Sequence, residues 1–241
     1  MRLAVLGDVH GNAYALQAVL DDLRQASPDA VYNLGDTVWG AADPGRAWAL
    51  QQEYAPPTVR GNTDERVAGM REGKQQMVAW VRAQLPPHAP GLLTDLPTRV
   101  DVADGEIRLA HGSPRSPWED LLLTEADGGH TRPAHFAEIR ERLDGFASKT
   151  GGRVCVVGHT HREMLTVVDG MTVVNAGPVS RHKDSLPVAR WVLLTRTGGV
   201  WNVEFCRTPY DPQAAAAWAR AHAPADIAED EVTWLTTGRE P

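Results

Sequence analysis

The first third of the chain alternates short apolar runs with longer amphipathic segments, and this alternation limits the possible folds more than any other feature. The apolar runs at 2–6, 30–34 and 57–60 have the length and composition of β-strands. The segments between them, 13–25 and 45–54, carry apolar side chains at helical spacing. Strands joined by helices of this length predict a parallel sheet with helices packed on it.

A second set of strand-like segments begins at residue 98, where helical segments become rarer. These segments are rich in valine, leucine and isoleucine and are bounded by turn residues, as β-strands are. They predict a second, partly antiparallel sheet that packs on the first. The segments are 98–102, 106–110, 153–157, 164–168, 171–174, 189–194 and 200–205.

Further helices are predicted from apolar periodicity and alanine content. Two of them lie at 74–85 and 133–144, and an alanine-rich one lies at 212–223. The Pro/Gly-rich stretch 86–91 is predicted to be a loop rather than a domain linker, because strand-like sequence resumes soon after it.

Length and charge narrow the class of protein. With 241 residues the chain is long enough for one sizeable core, so we expect a single domain over 1–241 with a C-terminal helical tail at about 208–241. Lysine and arginine number 24 against 31 aspartates and glutamates, and the net charge of −7 argues against a general nucleic-acid or membrane-surface binder. The apolar run 3–6 is far too short for a signal peptide, and no stretch is long enough to span a membrane. These features predict a cytoplasmic protein.

The two cysteines, Cys155 and Cys206, lie in separate apolar runs and have no metal-binding spacing. Free cysteines in a reducing compartment behave as small hydrophobic residues. Both are therefore expected to pack in the core.

Two histidines follow the valine-rich run 153–157 directly. Gly158 ends the run, and His159 and His161 come next with one residue between them. Residues i and i+2 of an extended chain point the same way, so both imidazoles can converge on one point beyond the strand end. Two histidines on a solvated loop would fit this local sequence equally well, so the rest of the chain must decide between these interpretations.

Four further predicted strands also end in a potential metal ligand beside a glycine. Glycine lets the chain turn sharply and brings the backbone close to a ligand. Ligands of open α/β sheets bind beyond the carboxyl ends of the strands, which is where all these residues fall. The residues are Asp8 and His10 after the first strand, Asp36 after the second, Asn62 after the third and His111 after the strand at 106–110.

Together the five strand ends supply four imidazoles, two carboxylates and one amide. The set is too large for a single ion and suits two ions that share a carboxylate. With no thiolate among the ligands, it favours Mn, Fe, Co, Ni or Zn over Mg or Ca. Two divalent ions and two carboxylates leave a net positive pocket, which can hold a hydroxide and a phosphate together. Each residue alone has a simpler explanation as turn chemistry or as a structural histidine, and only their joint order is specific.

The order of these blocks resembles that of the calcineurin-like metallophosphoesterase superfamily. The resemblance covers residues 1 to about 205. It implies an α/β fold, namely a four-layer αββα sandwich of two mixed β-sheets flanked by helices. The blocks are Gly-Asp-x-His-Gly at 7–11, Gly-Asp at 35–36, Gly-Asn at 61–62, His-Gly at 111–112 and Gly-His-Thr-His at 158–161.

The same resemblance implies a dinuclear metal site. By position in the blocks, Asp8, His10 and His161 would hold one ion, and Asn62, His111 and His159 would hold the other. Asp36 would bridge the two ions. Asp36, Asn62 and His111 are accordingly the residues expected to take part in catalysis.

Two departures from the family pattern indicate a branch. The second block reads Gly-Asp-Thr-Val-Trp-Gly at 35–40 and lacks the Asp-Arg of the protein Ser/Thr phosphatases and related dinucleoside tetraphosphatases. Thr63 follows Gly-Asn where most members have a histidine that assists the leaving group. The chain is more similar to the compact bacterial and archaeal phosphodiesterases that lack this histidine, and the stretches 111–122, 175–180 and 210–211 are similar to that branch too.

The expected function is that of a dinuclear-metal-dependent phosphodiesterase acting on a small nucleotide-like substrate, with a metal-bridging hydroxide as nucleophile. Arg115 and His182, on loops that follow strands of the site, are candidates for substrate contact. Hydrolysis of dinucleoside polyphosphates or of phosphomonoesters is an alternative within the same chemistry. A non-catalytic metal-binding scaffold is a further alternative, and the survival of all seven ligands argues against it. A homo-oligomer is compatible with the sequence.

Overall fold

A computed structural model of the chain describes residues 1–126, 128–146 and 153–241, which form eleven strands and eight helices. The strands are Arg2–Leu6 (β1), Ala30–Asn33 (β2), Arg99–Val102 (β3), Ile107–Ala110 (β4), Leu123–Glu125 (β5), Thr131–Pro133 (β6), Val154–Val157 (β7), Glu163–Val168 (β8), Met171–Ala176 (β9), Ala189–Thr197 (β10) and Val200–Thr208 (β11). The helices are Ala13–Ala26 (α1), Pro44–Tyr54 (α2), Asn62–Ala68 (α3), Gln75–Ala83 (α4), Ala89–Asp95 (α5), Phe136–Arg142 (α6), Pro212–His222 (α7) and Ala225–Thr237 (α8).

Two mixed sheets carry the fold. The first has the strand order β11-β10-β1-β2, with β1 parallel to β2 and antiparallel to β10. The second has the order β3-β4-β7-β9-β8, in which the three inner strands are parallel and both edge strands are antiparallel to their neighbours. A small hairpin pairs β5 with β6.

Alternate residues of each strand divide between two cores, as the two-residue period of a strand requires. Leu3 and Val5 of β1 pack against residues of the second sheet such as Val156. Ala4 and Leu6 of β1 face the other way and pack against α1. On the far side of the second sheet, residues of β7 and β9 pack against α6. The layers are therefore helix, sheet, sheet and helix, and the predicted four-layer αββα sandwich is confirmed.

Three predicted elements differ in the structure. The predicted third strand at 57–60 makes only an isolated bridge, between Asn33 and Thr58. The last two strands, β10 and β11, belong to the first sheet and not to the second, because β10 pairs with β1 in the register Leu3 to Leu194. Residues 189–194 are buried throughout, which suits a strand enclosed on both faces.

The predicted helix boundaries also need correction. The stretch 86–91 is not wholly a loop, since α5 begins at Ala89 with Pro90 in its first turn, where a missing N–H costs nothing. The predicted helix at 133–144 begins only at Phe136, because residues 131–133 form β6.

From Pro212 the chain forms two helices, α7 and α8, of which the sequence predicted only the first, at 212–223. Cys155 is buried in the core as predicted, but Cys206 is only partly buried against the α1 side of the first sheet. Among the described residues, no helix combines the length and the apolar character needed to cross a membrane.

Candidate metal centre

The seven predicted ligands meet at the carboxyl ends of four strands. Residues after β1, β2, β4 and β7 supply six of them, and the first residue of α3 supplies the seventh. Parallel neighbours end at the same edge of a sheet, and the two sheets lie face to face, so the four strand ends point to one place. Two groups of side chains there have ligand atoms within 4.8 Å of one another: Asp8, His10 and His161, and Asp8, Asp36 and His111.

The backbone at this edge is strained. Asp8, His10, Asp36, His159 and His161 all have positive φ angles, between 48° and 69°. Left-handed backbone costs a residue with a Cβ roughly 1–2 kcal/mol. Strain of this kind persists where surrounding structure holds it, and it clusters at functional sites.

One half of the centre contains His10, His161 and Asp8. The Nε2 atoms of His10 and His161 lie 2.9 Å apart. Asp8 Oδ1 lies 3.6 Å from His161 Nε2. The Nδ1 atoms of the two rings point away from this cluster, to the carbonyl oxygen of Trp39 at 3.1 Å and that of Arg181 at 2.6 Å.

The other half contains Asn62, His111 and His159. Asn62 Oδ1 lies 2.9 Å from His111 Nε2 and 3.0 Å from His159 Nδ1. His111 Nδ1 is 2.9 Å from the carbonyl oxygen of Leu34. His159 Nε2 faces Asp120 Oδ1 at 3.5 Å.

Asp36 lies between the two halves. Its Oδ2 is 3.5 Å from His10 Nε2, and its Oδ1 is 3.4 Å from His111 Nε2. Oδ1 also accepts a hydrogen bond from the backbone N–H of Thr63 at 2.8 Å. Asp8 is close to both halves as well, with Oδ1 4.0 Å from His111 Nε2. Either carboxylate therefore has the position of a ligand shared between two ions.

The donor set fits divalent cations. Because Nδ1 of His10, of His111 and of His161 donates to a backbone carbonyl, the hydrogen-bond network assigns a lone pair to each Nε2. These lone pairs meet each other and the carboxylate oxygens at 2.9–4.0 Å. The facing lone pairs of His10 and His161 repel each other unless a cation lies between them, and carbonyl-oriented imidazoles are the usual form of a metal-bound histidine.

Burial has opposite effects on the two kinds of ligand. It raises the pKa of Asp36 to about 7, with the negative charge of Asp64 adding to the effect. Burial and then the charge of Asp36 raise the pKa of Asp8. Two carboxylates that resist ionisation together are stabilised in the charged form by a bound cation.

The imidazoles are held neutral by the same burial. It lowers the pKa of His111 and His159 to about 4. The pKa values of His10 and His161 are also lowered, first by burial and next by a neighbouring group, which is His161 for His10 and Lys183 for His161. Only a neutral imidazole binds a metal, so all four rings are in the binding form at neutral pH.

Asp64 fixes the loop that carries Asp36. It is fully buried and accepts hydrogen bonds from the backbone N–H groups of Asp36, Thr37 and Gly61 at 2.8–2.9 Å. A side chain at Gly61 would overlap Asp36, so this position admits only glycine. The sequence interpretation missed Asp64, because one more acidic residue in the first turn of a helix is unremarkable.

Asn175 at the end of β9 fixes the histidine loop after β7. Its Nδ2 donates to the carbonyl oxygen of Gly158 at 2.5 Å and to Thr160 Oγ1 at 2.9 Å. A Cβ at Gly158 would lie 2.5 Å from Asp8 Oδ2. The loop is thereby held against Asp8, whose carboxylate accepts the backbone N–H of His159.

The two predicted substrate contacts are placed less favourably. The guanidinium of Arg115 is paired with Glu119 and Glu141. His182 is fully buried, so its ring does not reach a substrate in this conformation. Substrate contact by Arg115 or His182 stays a prediction.

Lys183, next to His182, is a cation close to the centre, as is Arg181. Burial has the largest effect on both neighbouring ligands: it raises the pKa of Asp8 and lowers that of His161. The positive charge of Lys183 lowers both pKa values. Its side chain is 31% exposed. No sequence motif distinguishes this lysine, and only the fold brings it to the ligands.

A buried cluster of carboxylates and neutral imidazoles at the strand ends of an αββα sandwich defines the class of protein as a metal-dependent hydrolase of phosphate esters. The chain matches the Calcineurin-like phosphoesterase superfamily domain over residues 1–198. It belongs to that superfamily, as its sequence blocks predicted.

Three relatives show how far the similarity extends. An uncharacterized protein of Methanocaldococcus jannaschii is 23% identical over 223 residues, which are 88% of this chain and 89% of that protein. The crystal structure of a metallophosphoesterase from Sphaerobacter thermophilus is 26% identical, with a TM-score of 0.76 over 99% of this chain and 100% of that one. A hypothetical protein from Pyrococcus horikoshii OT3 shares the fold, with a TM-score of 0.76 at 16% identity, over 100% of this chain and 99% of its own. These similarities are consistent with the compact bacterial and archaeal branch.

Proposed function

We propose that the protein is a dinuclear phosphodiesterase acting on a small nucleotide-like ester. The observation that carries the proposal is the convergence of three imidazole lone pairs on Asp8 and Asp36. We assign Asp8, His10 and His161 to one ion, Asn62, His111 and His159 to the other, and Asp36 to both. Mn, Fe, Co, Ni or Zn suits these nitrogen and oxygen ligands.

When bound, two such ions supply Lewis-acid charge and lower the pKa of a water molecule so that it can attack phosphorus. The chain's own contribution is to hold the ligands before the substrate arrives. Backbone carbonyls fix the rings of His10, His111 and His161, and Asp64 fixes the loop of Asp36. Geometry that is set in advance in this way lowers the cost of reaching the transition state.

Lys183 is the candidate contact for the phosphate of the substrate. It is the positive side chain whose charge acts on Asp8, His159 and His161, and it is partly open to solvent. An ammonium group there would attract an anionic ester and stabilise a non-bridging oxygen. Arg115 would have to leave Glu119 and Glu141 to do the same.

Phosphomonoesters and dinucleoside polyphosphates remain alternative substrates of the same centre. A non-catalytic scaffold is disfavoured, because all seven ligand side chains are present and lie together. A cytoplasmic location, a single domain over 1–241 and a homo-oligomeric state are further proposals that rest on the sequence.

The test combines metal analysis with a substrate panel. Protein reconstituted separately with each candidate metal is expected to bind two equivalents and to hydrolyse aryl phosphodiesters. Asp36→Asn is expected to abolish turnover and to reduce the metal content, because the amide cannot supply charge to two ions. Full activity with two bound ions in that variant would rule out Asp36 as the shared ligand.

A further inference from the structure

A cleft of about 910 Å³ opens beside the half of the centre that holds His10 and His161. It lies between the N-terminal ends of α4 and α8, and Trp39 and Trp234 line it. Both tryptophans adjoin the ligands. The carbonyl oxygen of Trp39 faces His10 Nδ1 at 3.1 Å, and the ring of Trp234 is centred 6.4 Å from that of His161.

Two largely buried indoles lie at the edge of this cleft and have unused donors. Trp39 is 8% exposed and Trp234 is 9% exposed, and both residues line the cleft. Within the part of the chain that the structure describes, neither indole N–H donates a hydrogen bond to the protein. The ammonium of Lys183 lies 6.0 Å from the centre of the Trp234 ring, a distance at which a cation is attracted to an aromatic face.

The charge of the cleft is opposite to that of a loaded metal centre. Its lining carries four carboxylates, from Asp226, Glu229, Asp230 and Glu240, but only two cations, Lys74 and Arg181.

The neighbouring ion pairs do not remove this excess of negative charge. Arg181 is paired at 2.6 Å with Glu231, which is 1% exposed. Glu240 is paired at 3.7 Å with Lys183. With both partners included, five carboxylates oppose three cations, an excess of two negative charges.

We propose that this cleft receives the organic group of the substrate and selects an uncharged or cationic group over one that bears a further phosphate or carboxylate. The proposal rests on the proposed phosphoesterase activity and narrows its substrate class. The reacting phosphate is drawn to the metal ions, and the acidic cleft orients the rest of the ester away from them. Among the alternatives, a diester of a neutral nucleoside or of an amino alcohol fits, and a dinucleoside polyphosphate does not.

A matched series of aryl diesters tests the selection. Each ester has p-nitrophenolate as leaving group and differs in its second group: choline, its uncharged isostere 3,3-dimethylbutanol, or 4-hydroxybutanoate. Because the leaving group is constant, differences in kcat/KM report on the second group. We expect choline to exceed the isostere by roughly 2- to 5-fold, because the cleft carries an excess of negative charge on largely exposed side chains, and the carboxylate to be slowest. Added salt is expected to compress the series, because exposed charges are screened.

Variants locate the effect in the cleft. Asp226, Glu229 and Asp230 are exposed, so Asp226→Asn, Glu229→Gln and Asp230→Asn can be combined with little risk to folding. The ratio of the choline to the 4-hydroxybutanoate ester is expected to fall toward one in this triple variant. The control removes three exposed charges elsewhere, by Glu53→Gln, Asp104→Asn and Glu204→Gln, and is expected to retain the wild-type ratio.

A binding measurement separates this proposal from the proposed activity. Phosphonates that carry the same three groups on a non-hydrolysable P–C bond are expected to give dissociation constants in the same order by calorimetry. If no ester is hydrolysed by protein with two bound ions, the proposed activity fails. The phosphonates then still test whether the cleft prefers an uncharged or cationic group over an anionic one. The cleft proposal is overturned if the anionic compounds equal the isostere, or if both triple variants change the series alike.

Discussion

At the scale of single residues, His159 and His161 lie on one loop but point into different halves of the centre. Their rings diverge: His161 Nε2 faces His10 at 2.9 Å, and His159 Nδ1 faces Asn62 Oδ1 at 3.0 Å. We expect His159→Ala and His161→Ala each to lose about one metal equivalent and most of the activity, because each variant removes one ligand from a different ion. Metal analysis and the rate on an aryl diester check this. Retention of two ions and the wild-type rate in either variant would return that histidine to an ordinary loop residue.

Thr63 raises the question of where the leaving-group proton comes from. A positioned general acid typically contributes about 10²- to 10⁴-fold, and a threonine hydroxyl is too weak an acid to do so. The backbone N–H of Thr63 donates to Asp36 at 2.8 Å, so residue 63 adjoins the centre. We expect a steep dependence of log rate on leaving-group pKa in the wild type and a shallower one in Thr63→His, which should speed poor leaving groups selectively.

The control for this experiment is Thr63→Asn at matched metal loading, which adds a polar side chain without an acid. A shallow wild-type slope, or parallel lines for Thr63→His and wild type, would show that the proton comes from elsewhere. Lys183 would then be the group to examine, because its charge already acts on Asp8 and His161.

At the scale of elements, the sequence predicted the strand ends better than the pairing of the strands. A strand followed by glycine and a ligand is a local pattern, and parallel pairing then brings β4, β7 and β9 to one edge. The position of β10 beside β1 depends on contacts between residues nearly the whole chain apart, such as Leu3 and Leu194, which no local pattern records. Lys183 and the cleft beside α8 were missed for the same reason.

The loop between β2 and α2 shows how a buried carboxylate on a neighbouring helix, Asp64 of α3, supports an element. Asp64 accepts three backbone N–H groups with two oxygens, so the amide of Asp64→Asn would turn a donor toward a donor. We expect this variant to lose about 1–3 kcal/mol of unfolding free energy and to bind metal less tightly through a displaced Asp36. Chemical denaturation and metal titration measure the two effects.

The matched control is Asp211→Asn at the start of α7. Asp211 also accepts two backbone N–H groups, but at an exposed helix terminus, where asparagine caps equally well. It is expected to keep the wild-type metal affinity. Equal behaviour of the two variants would mean that Asp64 does not hold the loop of Asp36.

At the scale of the whole molecule, the shifted pKa values of the centre predict that metal binding is coupled to protons and to stability. Since a metal binds only a neutral imidazole, protonation of the four histidines is one possible cause of a loss of activity at low pH. The structure moves that limit to the carboxylates, since burial raises the pKa of Asp36 to about 7 and lowers those of His111 and His159 to about 4. Near neutral pH the imidazoles need not lose a proton before binding, whereas Asp36 must.

The sign of the effect on stability follows from the raised pKa. The folded protein without metal binds the Asp36 proton more tightly than the unfolded chain, whose carboxyl has the ordinary value of 3.8. Ionisation of Asp36 therefore costs stability, and this cost grows as the pH rises from about 4 to about 7. A bound cation offsets it, so the stabilisation by metal should be larger at pH 8.5 than at pH 6.

We therefore expect metal uptake to release protons at pH 6 and few at pH 8.5, and the metal affinity to fall as the pH decreases through about 7. Calorimetric titration in two buffers with different ionisation enthalpies counts the protons. Thermal unfolding with and without metal at both pH values measures the stabilisation. His182 lies outside the ligand set and contributes equally with and without metal, so the difference between the two measurements at one pH removes its contribution. Loss of the infrared band of a protonated carboxyl on metal addition at pH 6 would identify the source. Proton release centred near pH 4 would instead assign the coupling to the histidines, and it would show that Asp8 and Asp36 are both ionised before any metal binds.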